Sequence, residues 1–217
     1  MQLSKFLANY FYTTEELCHA LSIDEETLTD WQQKGLFPKP SYCLQSQLEC
    51  SSYSGIYQCE EYQDFYPRGA SSWGQHIIKH DVKSSCQAFN HFAQQYSTQL
   101  SKLAEQGYAL NEDLFGSEID EHLQQVWQQF LCSKYGVLTQ NGLIEEAVQL
   151  DVAKLLIDDI TELRTKTGLT VDERQALHKA LKLMNKALSH GTGNEGKNTL
   201  RHKYIEEVVC KYDLSVK

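Results

Sequence analysis

The stretch that decides the fold is residues 12–40, YTTEELCHALSIDEETLTDWQQKGLFPKP. Thr13 is closely followed by two glutamates, a pattern typical of a helix N-cap at the positive end of the helix dipole. Asp24 has the same position before a second apolar repeat, and Gly35 with the prolines after it ends that repeat. The stretch therefore predicts two short helices, the first beginning near Thr13, joined by a tight turn.

The same residues resemble the N-terminal helix-turn-helix of MerR-type regulators. The resemblance rests on Thr13-Thr14-Glu15-Glu16-Leu17, Ser22-Ile23, Thr27-Leu28, Trp31 and Gly35-Leu36-Phe37-Pro38. It covers about one seventh of the chain. It implies the shape of the module more strongly than DNA binding, because many proteins keep a fold without its function.

The charges of this module differ from those of a DNA-binding surface. In MerR-type proteins the second helix and the wing usually carry arginines for phosphate contact. The second helix here carries four acids instead, Asp24, Glu25, Glu26 and Asp30. Residues 41–66 contain no Lys or Arg, which leaves Lys34 and Lys39 as the candidate DNA contacts. Because acids repel phosphate, we expect DNA binding to be weak or lost.

The rest of the chain is predicted to be helical after a short irregular segment. Residues 42–62 lose the helical period and predict a small hairpin or an irregular wing, and Trp73, Ile77 and Ile78 predict a short connecting helix. The later apolar spacing predicts helices over Phe89 to Leu103, Ile119 to Leu131, Leu143 to Arg164, Val171 to Ser189 and Tyr204 to Val209, with Gly107 and Gly136 at the ends of the first two. The expected fold is mainly α, with a helix-turn-helix-like unit and its irregular or β wing at 1–66 and a helical bundle at 67–217.

A second resemblance extends over nearly the whole chain. It is carried by the N-terminal module and then by Phe65-Tyr66-Pro67-Arg68-Gly69, Tyr135-Gly136-Val137-Leu138-Thr139 and Arg201. These stretches are similar to an uncharacterised bacterial family that is loosely associated with natural-product biosynthesis. The association is genomic, so the resemblance implies no catalytic residue.

Composition restricts the environment in which the protein works. The net charge of −9 disfavours nonspecific attraction to nucleic acid or to an anionic membrane. No apolar run approaches the roughly 20 residues that a membrane span needs, and no signal peptide is visible. The seven cysteines are an odd number with no sign of export, which favours reduced thiols and a cytoplasmic protein.

A glycine-rich loop over Gly191 to Thr199 matches parts of two nucleotide-binding motifs. A P-loop, however, needs a strand before it and Ser or Thr directly after the lysine, whereas a predicted helix precedes this loop and Asn198 follows Lys197. A connection between two helices is the favoured interpretation. Lys197 and Arg201, near the start of the last helix, are candidate anion contacts.

Two groups of residues are of the types that bind metal ions. His76 and His80 are four residues apart, and Cys43, Cys50 and Cys59 are close in sequence. Their spacing is irregular and contains no Cys-x-x-Cys pair, so apolar thiols and a surface histidine pair are the more common interpretation. The sequence therefore assigns no metal, no cofactor and no catalytic residue. Whether the histidine pair or the three cysteines bind a metal ion is left open.

Two functions remain open at this point. The leading hypothesis is a noncatalytic helix-turn-helix-like protein, such as a transcriptional regulator, that acts through a protein partner or self-association more than through DNA. Residues 172–217 contain nine basic and six acidic side chains, so the two ends of the chain have charges that attract each other. The alternative is an enzyme or small-ligand-binding protein with a pocket between the N-terminal module and the bundle, near Arg68 and His76. Arg68, in its Pro-Arg-Gly turn, is the candidate contact there for a carboxylate or phosphate.

Overall fold

A computed structural model describes residues 3–108, 119–189, 191 and 199–214 of the 217-residue chain. Ten α-helices and three β-strands lie in these ranges, so the protein is mainly α, as predicted. The first elements are α1 (Leu3–Tyr10), β1 (Phe11–Thr13), α2 (Thr14–Leu21), α3 (Glu25–Gln33), β2 (Tyr42–Ser52) and β3 (Gly55–Pro67). They are followed by α4 (Ala70–Lys79), α5 (Ser85–Glu105), α6 (Ile119–Leu131), α7 (Lys134–Leu138), α8 (Ile144–Ile160) and α9 (Val171–Ala187). A π-helical turn, His202–Glu206, leads into α10 (Glu207–Tyr212).

The helices α2 and α3 begin and end where their sequence indicates. The Thr13 hydroxyl accepts a hydrogen bond from the Glu16 amide at 3.2 Å, and the Glu16 carboxylate accepts one from the Thr13 amide at 3.0 Å. Asp24 caps α3 by accepting from the Thr27 amide at 2.8 Å. Gly35 follows α3 with φ +65°, a conformation that glycine adopts without strain. The predicted start near Thr13 and end at Gly35 are confirmed.

The three strands form one antiparallel sheet in the order β1-β3-β2. Strands β2 and β3 pair continuously from Tyr42 opposite Phe65 to Ser52 opposite Gly55. The expected small hairpin is therefore a regular ribbon whose strands contain 11 and 13 residues. Residues 51–63 are exposed, so both faces of the outer part of this hairpin contact solvent.

The base of the hairpin is covered by α1 and β1, two elements that the sequence did not predict. Phe6, Leu7 and Phe11 from these elements form a small core with Phe65 of β3. The ring of Tyr42 meets Phe11 edge-on, with ring centroids 5.1 Å apart. This core anchors the hairpin at one end only.

The helices from α4 onward pack around the main core. The middle of this region is α8, which packs against both α5 and α9 and has nine buried residues. The predicted helix over Ile119 to Leu131 is confirmed. The helices predicted over 143–164 and 171–189 are also present but end earlier, at Ile160 and Ala187.

Gly136 does not end a helix, as the sequence analysis expected, but lies inside α7. Helix α6 already ends at Leu131. A Cβ atom on Gly136 would collide with the hydroxyl groups of Ser41 and Ser133 and would lie 3.0 Å from Pro67. The glycine is therefore needed for close packing of α7 against the end of β3, and the mistaken prediction arose because its sequence neighbours do not reveal that contact.

The main core contains side chains from both predicted domains. Leu28 and Phe37 of the first range pack in the same cluster as Trp73 of the second, and the Trp73 indole donates to the Leu36 carbonyl at 2.8 Å. The division into 1–66 and 67–217 remains a prediction. Among the helices that the structure describes, none is long and apolar enough to cross a membrane.

Candidate functional site

Arg68, one of the predicted anion contacts, braces the N-terminal elements. Its guanidinium lies 4.1 Å from the centroid of the Tyr12 ring, a cation–π contact, and Nη2 donates to the Ala8 carbonyl at 3.4 Å. These contacts direct the guanidinium to α1 and β1. A role for Arg68 in ligand binding remains a prediction, and a ligand would have to share the guanidinium with Tyr12 and the Ala8 carbonyl.

Arg201 donates hydrogen bonds to residues at the C-terminal end of α9. Its Nη1 donates to the Asn185 side chain at 2.8 Å, and Nη2 donates to the carbonyls of Leu188 and Ser189, each at 3.4 Å. These carbonyls follow the last turn of α9, where helix carbonyls lack partners within the helix. Lys197 and most of the glycine-rich loop lie outside the described residues, so the anion contact predicted for Lys197 and Arg201 remains a prediction.

The two candidate DNA contacts lie near a surface that is rich in carboxylates. The Lys34 ammonium forms an ion pair with Asp30 at 2.6 Å, and the Lys39 side chain is exposed. Glu25 and Glu26 are exposed at the start of the same helix. An exposed acidic helix start opposes a phosphate backbone, and the Asp30 carboxylate already offsets one of the two positive charges.

His76 and His80 belong to a cluster of three histidines. The ring centroid of His76 lies 4.3 Å from that of His80 and 4.8 Å from that of His91, and the His76 ring stacks on Trp73. The Gln95 amide lies 3.3 Å from His76 Nδ1. Burial, together with the neighbouring His80 and His91, lowers the pKa of His76.

The cysteines suggested as metal ligands lie along the hairpin. Cys50 and Cys59 share one face of it, whereas Cys43 lies on the other face opposite Asp64. The hydrogen bond with Asp64 raises the pKa of the Cys43 thiol, which disfavours the thiolate that binds metals. Within the described part of the chain, no group of three or more histidines, cysteines and carboxylates is arranged to hold a metal ion.

A cavity of about 220 Å³ lies where α4 meets α5 and α8. Its walls include Trp73 and His76 from α4, Gln95 from α5, Phe130 from α6 and Ile144 from α8. The sequence analysis expected a pocket near Arg68 and His76. The structure places His76 on a cavity and Arg68 elsewhere, because the guanidinium is held on Tyr12.

A buried polar network, which the sequence analysis missed, lies inside the helical part. The hydroxyl groups of Tyr96 and Tyr135 donate to the same carboxylate oxygen of Asp151, at 3.0 and 2.7 Å. His122 Nε2 lies 3.4 Å from the Tyr96 hydroxyl, and the side-chain oxygen of Gln129 lies 3.2 Å from the Tyr135 hydroxyl. Burial raises the pKa of Asp151, while the two tyrosine hydrogen bonds oppose that rise. Asp151 does not line the cavity beside His76. The two tyrosine hydrogen bonds join α5 and α7 to α8, so the network holds these helices together.

Residues 88–213 match a family of unknown function, DUF6058, and because the match covers more than half of the chain, the protein belongs to this family. The matched region runs from α5 to α10 and contains the Asp151 network. No curated protein and no solved structure matches the chain. The match does not reach residues 12–40, so the resemblance of that stretch to MerR-type regulators remains a prediction, as does the association with natural-product biosynthesis.

Proposed function

We propose that this protein acts noncatalytically, through contacts with another protein made by a helix-turn-helix-like N-terminal unit that has lost DNA binding. The observation that carries the proposal is the hairpin of β2 and β3, which extends from the fold with both faces in solvent and has no Lys or Arg between residues 41 and 66. A DNA-binding wing needs positive charge at this position.

The helix-turn-helix shape is supported by the arrangement of α2 and α3. Only three residues, 22–24, separate them, and Ser22 adopts a left-handed conformation with φ 57° that turns the chain sharply. The two helices bury Leu17, Leu21 and Leu28 in the common core. The hairpin follows directly, at the place where a wing is expected.

One face of the hairpin carries an apolar strip toward its outer end, formed by Leu48, Cys50, Tyr57 and Cys59. Leu44 lies on the same face nearer the base and is separated from the strip by the pair of Ser46 and Glu61. Leu44 packs against the small core, but Leu48 and Tyr57 are 42% and 57% exposed. The strip is therefore separated from the small core by polar residues, and Leu48 and Tyr57 in it are exposed to solvent.

The opposite face of the hairpin is polar and ordered by hydrogen bonds. Gln45 donates to the Tyr62 hydroxyl at 3.0 Å, Gln47 donates to Glu60 at 3.1 Å, and Gln58 donates to Glu49 at 3.0 Å. These cross-strand pairs keep the ribbon regular. A two-stranded ribbon is marginally stable alone in water, so an exposed apolar strip on one face favours a protein partner.

The loss of DNA binding is tested by fluorescence anisotropy with a random-sequence DNA duplex at low and at physiological salt. We expect no binding at either salt concentration. Binding at low salt that weakens steeply with added salt, and that is reduced by the double substitution Lys34→Ala and Lys39→Ala, would contradict the proposal. The matched control replaces Lys5 and Lys203, two exposed lysines elsewhere, and changes the net charge equally.

The protein contact is tested by placing a photo-crosslinking aromatic amino acid at single tyrosines in the native host. We expect an adduct of defined mass from Tyr57 on the apolar strip and none from Tyr10, which is exposed on α1. The captured protein, once purified, should bind the wild-type chain and lose affinity for the double variant Leu48→Ser and Tyr57→Ser. An absence of adducts along the hairpin, or equal adducts from Tyr10, would refute the contact function.

A small-ligand function is the second candidate, and the cavity beside His76 favours it. The cavity has aromatic walls from Trp73 and Phe130 and polar groups from His76 and Gln95. Apolar walls with a few polar groups are typical of small-molecule sites.

A further inference from the structure

A second cavity, of about 310 Å³, lies between α5 and α9 beside the start of α8. Three lysines line it, Lys102 from α5 and Lys182 and Lys186 from α9. Lys182 and Lys186 are four residues apart, so they share one face of their helix. Gln99 and Gln106 add amide groups to the wall.

These lysines have no ion-pair partner within the residues that the structure describes. Lys179, one turn earlier on α9, differs, because its ammonium donates to the carbonyls of Gln106 and Gly107 at 2.8 and 3.0 Å. The acid on the cavity wall is Glu145, which accepts from the Gln149 side chain at 2.9 Å. Among the described residues, three positive charges and one negative charge thus face the cavity, in a protein whose net charge is −9.

The basic cavity adjoins the aromatic cavity described above. Gln99 and Glu145 line both of them, so the two cavities lie side by side and share these wall residues. The pair of cavities, with the three lysines at one end and Trp73 and Phe130 at the other, is called the groove. One end of this groove suits an anion, and the other end suits an apolar or aromatic group.

We propose that this groove binds a small phosphate-bearing organic molecule. Its phosphate group lies among Lys102, Lys182 and Lys186, and its apolar part lies beside Trp73 and Phe130. Ammonium groups bind phosphate as point charges, and clustered like charges repel one another until an anion compensates them. This inference does not depend on the contact function of the hairpin, and it assigns a ligand class to the small-ligand candidate.

The test is isothermal titration calorimetry of the full chain with pyrophosphate and with phenyl phosphate at constant ionic strength. We expect saturable binding of both, and a loss of affinity of about tenfold or more in the double variant Lys182→Ala and Lys186→Ala. The matched variant Lys5→Ala and Lys203→Ala removes the same charge elsewhere and should bind as the wild type does. Phenyl phosphate should also change the tryptophan fluorescence, an effect that the substitution Trp73→Phe should reduce.

Several results would overturn the proposal. If the wild-type chain does not bind either anion, or if the two double variants weaken binding equally, the basic cavity is not a site. Pyrophosphate could bind while phenyl phosphate binds no more tightly than pyrophosphate and leaves the tryptophan fluorescence unchanged. In that case the placement of the apolar part of the ligand beside Trp73 is wrong. If aromatic carboxylates such as benzoate bind more tightly than phenyl phosphate, phosphate-bearing molecules are the wrong ligand class. The crosslinking result at Tyr57 is independent of all three outcomes.

Discussion

The substitution Tyr135→Phe tests whether the Asp151 carboxylate stabilises the helical part of the protein. Tyr135 is 1% exposed, and its hydroxyl donates to Asp151 at 2.7 Å. The carboxyl group of Asp151 lies deep among the helices, although the residue as a whole keeps some solvent access. The substitution removes a hydrogen-bond donor from a charged acceptor, together with the longer contact to Gln129 at 3.2 Å.

The expected loss follows from the charge on the acceptor. Hydrogen bonds to charged groups contribute about 1.5–3 kcal/mol, so we expect a loss of this size in the free energy of unfolding. For a chain of this length, each kcal/mol lowers Tm by about 2–4 °C, which predicts a decrease of about 3–12 °C. Urea unfolding followed by circular dichroism measures the free energy, and a thermal scan measures Tm.

The chain offers a matched control in Tyr212. This tyrosine is also buried, but its hydroxyl donates to a neutral acceptor, the Lys166 carbonyl, at 2.8 Å. Tyr212→Phe should therefore cost only about 0.5–1.5 kcal/mol. In an Asp151→Asn background, the cost of Tyr135→Phe should decrease toward that of the control. An equal loss from Tyr135→Phe and Tyr212→Phe would refute the role given to the charged acceptor.

Three further predictions concern stability. Asp24→Ala removes the N-cap of α3 and should lower the free energy of unfolding in urea by about 1 kcal/mol, whereas Asp24→Asn should lower it less. Gly142→Ala should cost about 2–5 kcal/mol, because φ is +75° and the new Cβ would lie 2.6 Å from Pro67, whereas Gly55→Ala at φ +123° in open space should cost less. The lowered pKa of His76 means that the unfolded chain binds a proton more tightly, so stability should decrease as pH falls below about 6.5. His76→Gln should flatten this decrease in urea titrations across pH 5–8, and an unchanged slope would show that His76 does not cause it.

The sequence predicted those elements whose signals are local. The caps at Thr13 and Asp24 and the end at Gly35 act within one helical turn, so their neighbours in sequence are also their partners in space. The long helices were found because their apolar positions repeat with the helical period. The hairpin was expected to be smaller, because acids and tyrosines occupy both faces of β3 and hide the alternation that marks a strand.

The candidate site was harder to predict, because its residues meet partners that are distant in sequence. Arg68 and Arg201 were suggested as anion contacts on the strength of their charge and local motif. The sequence did not reveal that Arg68 contacts a carbonyl 60 residues away or that Arg201 donates to Asn185 near the end of the preceding helix. The three lysines of the basic cavity come from two helices whose alignment no local pattern reveals.

The sequence by itself determined that the protein is mainly helical and where its capped helices begin. It also determined that residues 41–66 lack positive charge. These properties depend only on residue type and short-range spacing. Only the tertiary structure decided that α1 supports the hairpin, that Asp151 receives two tyrosine hydroxyls, and that three lysines face one cavity. The physical reason is that burial and electrostatic fields depend on distances between elements, and packing of the whole core sets those distances.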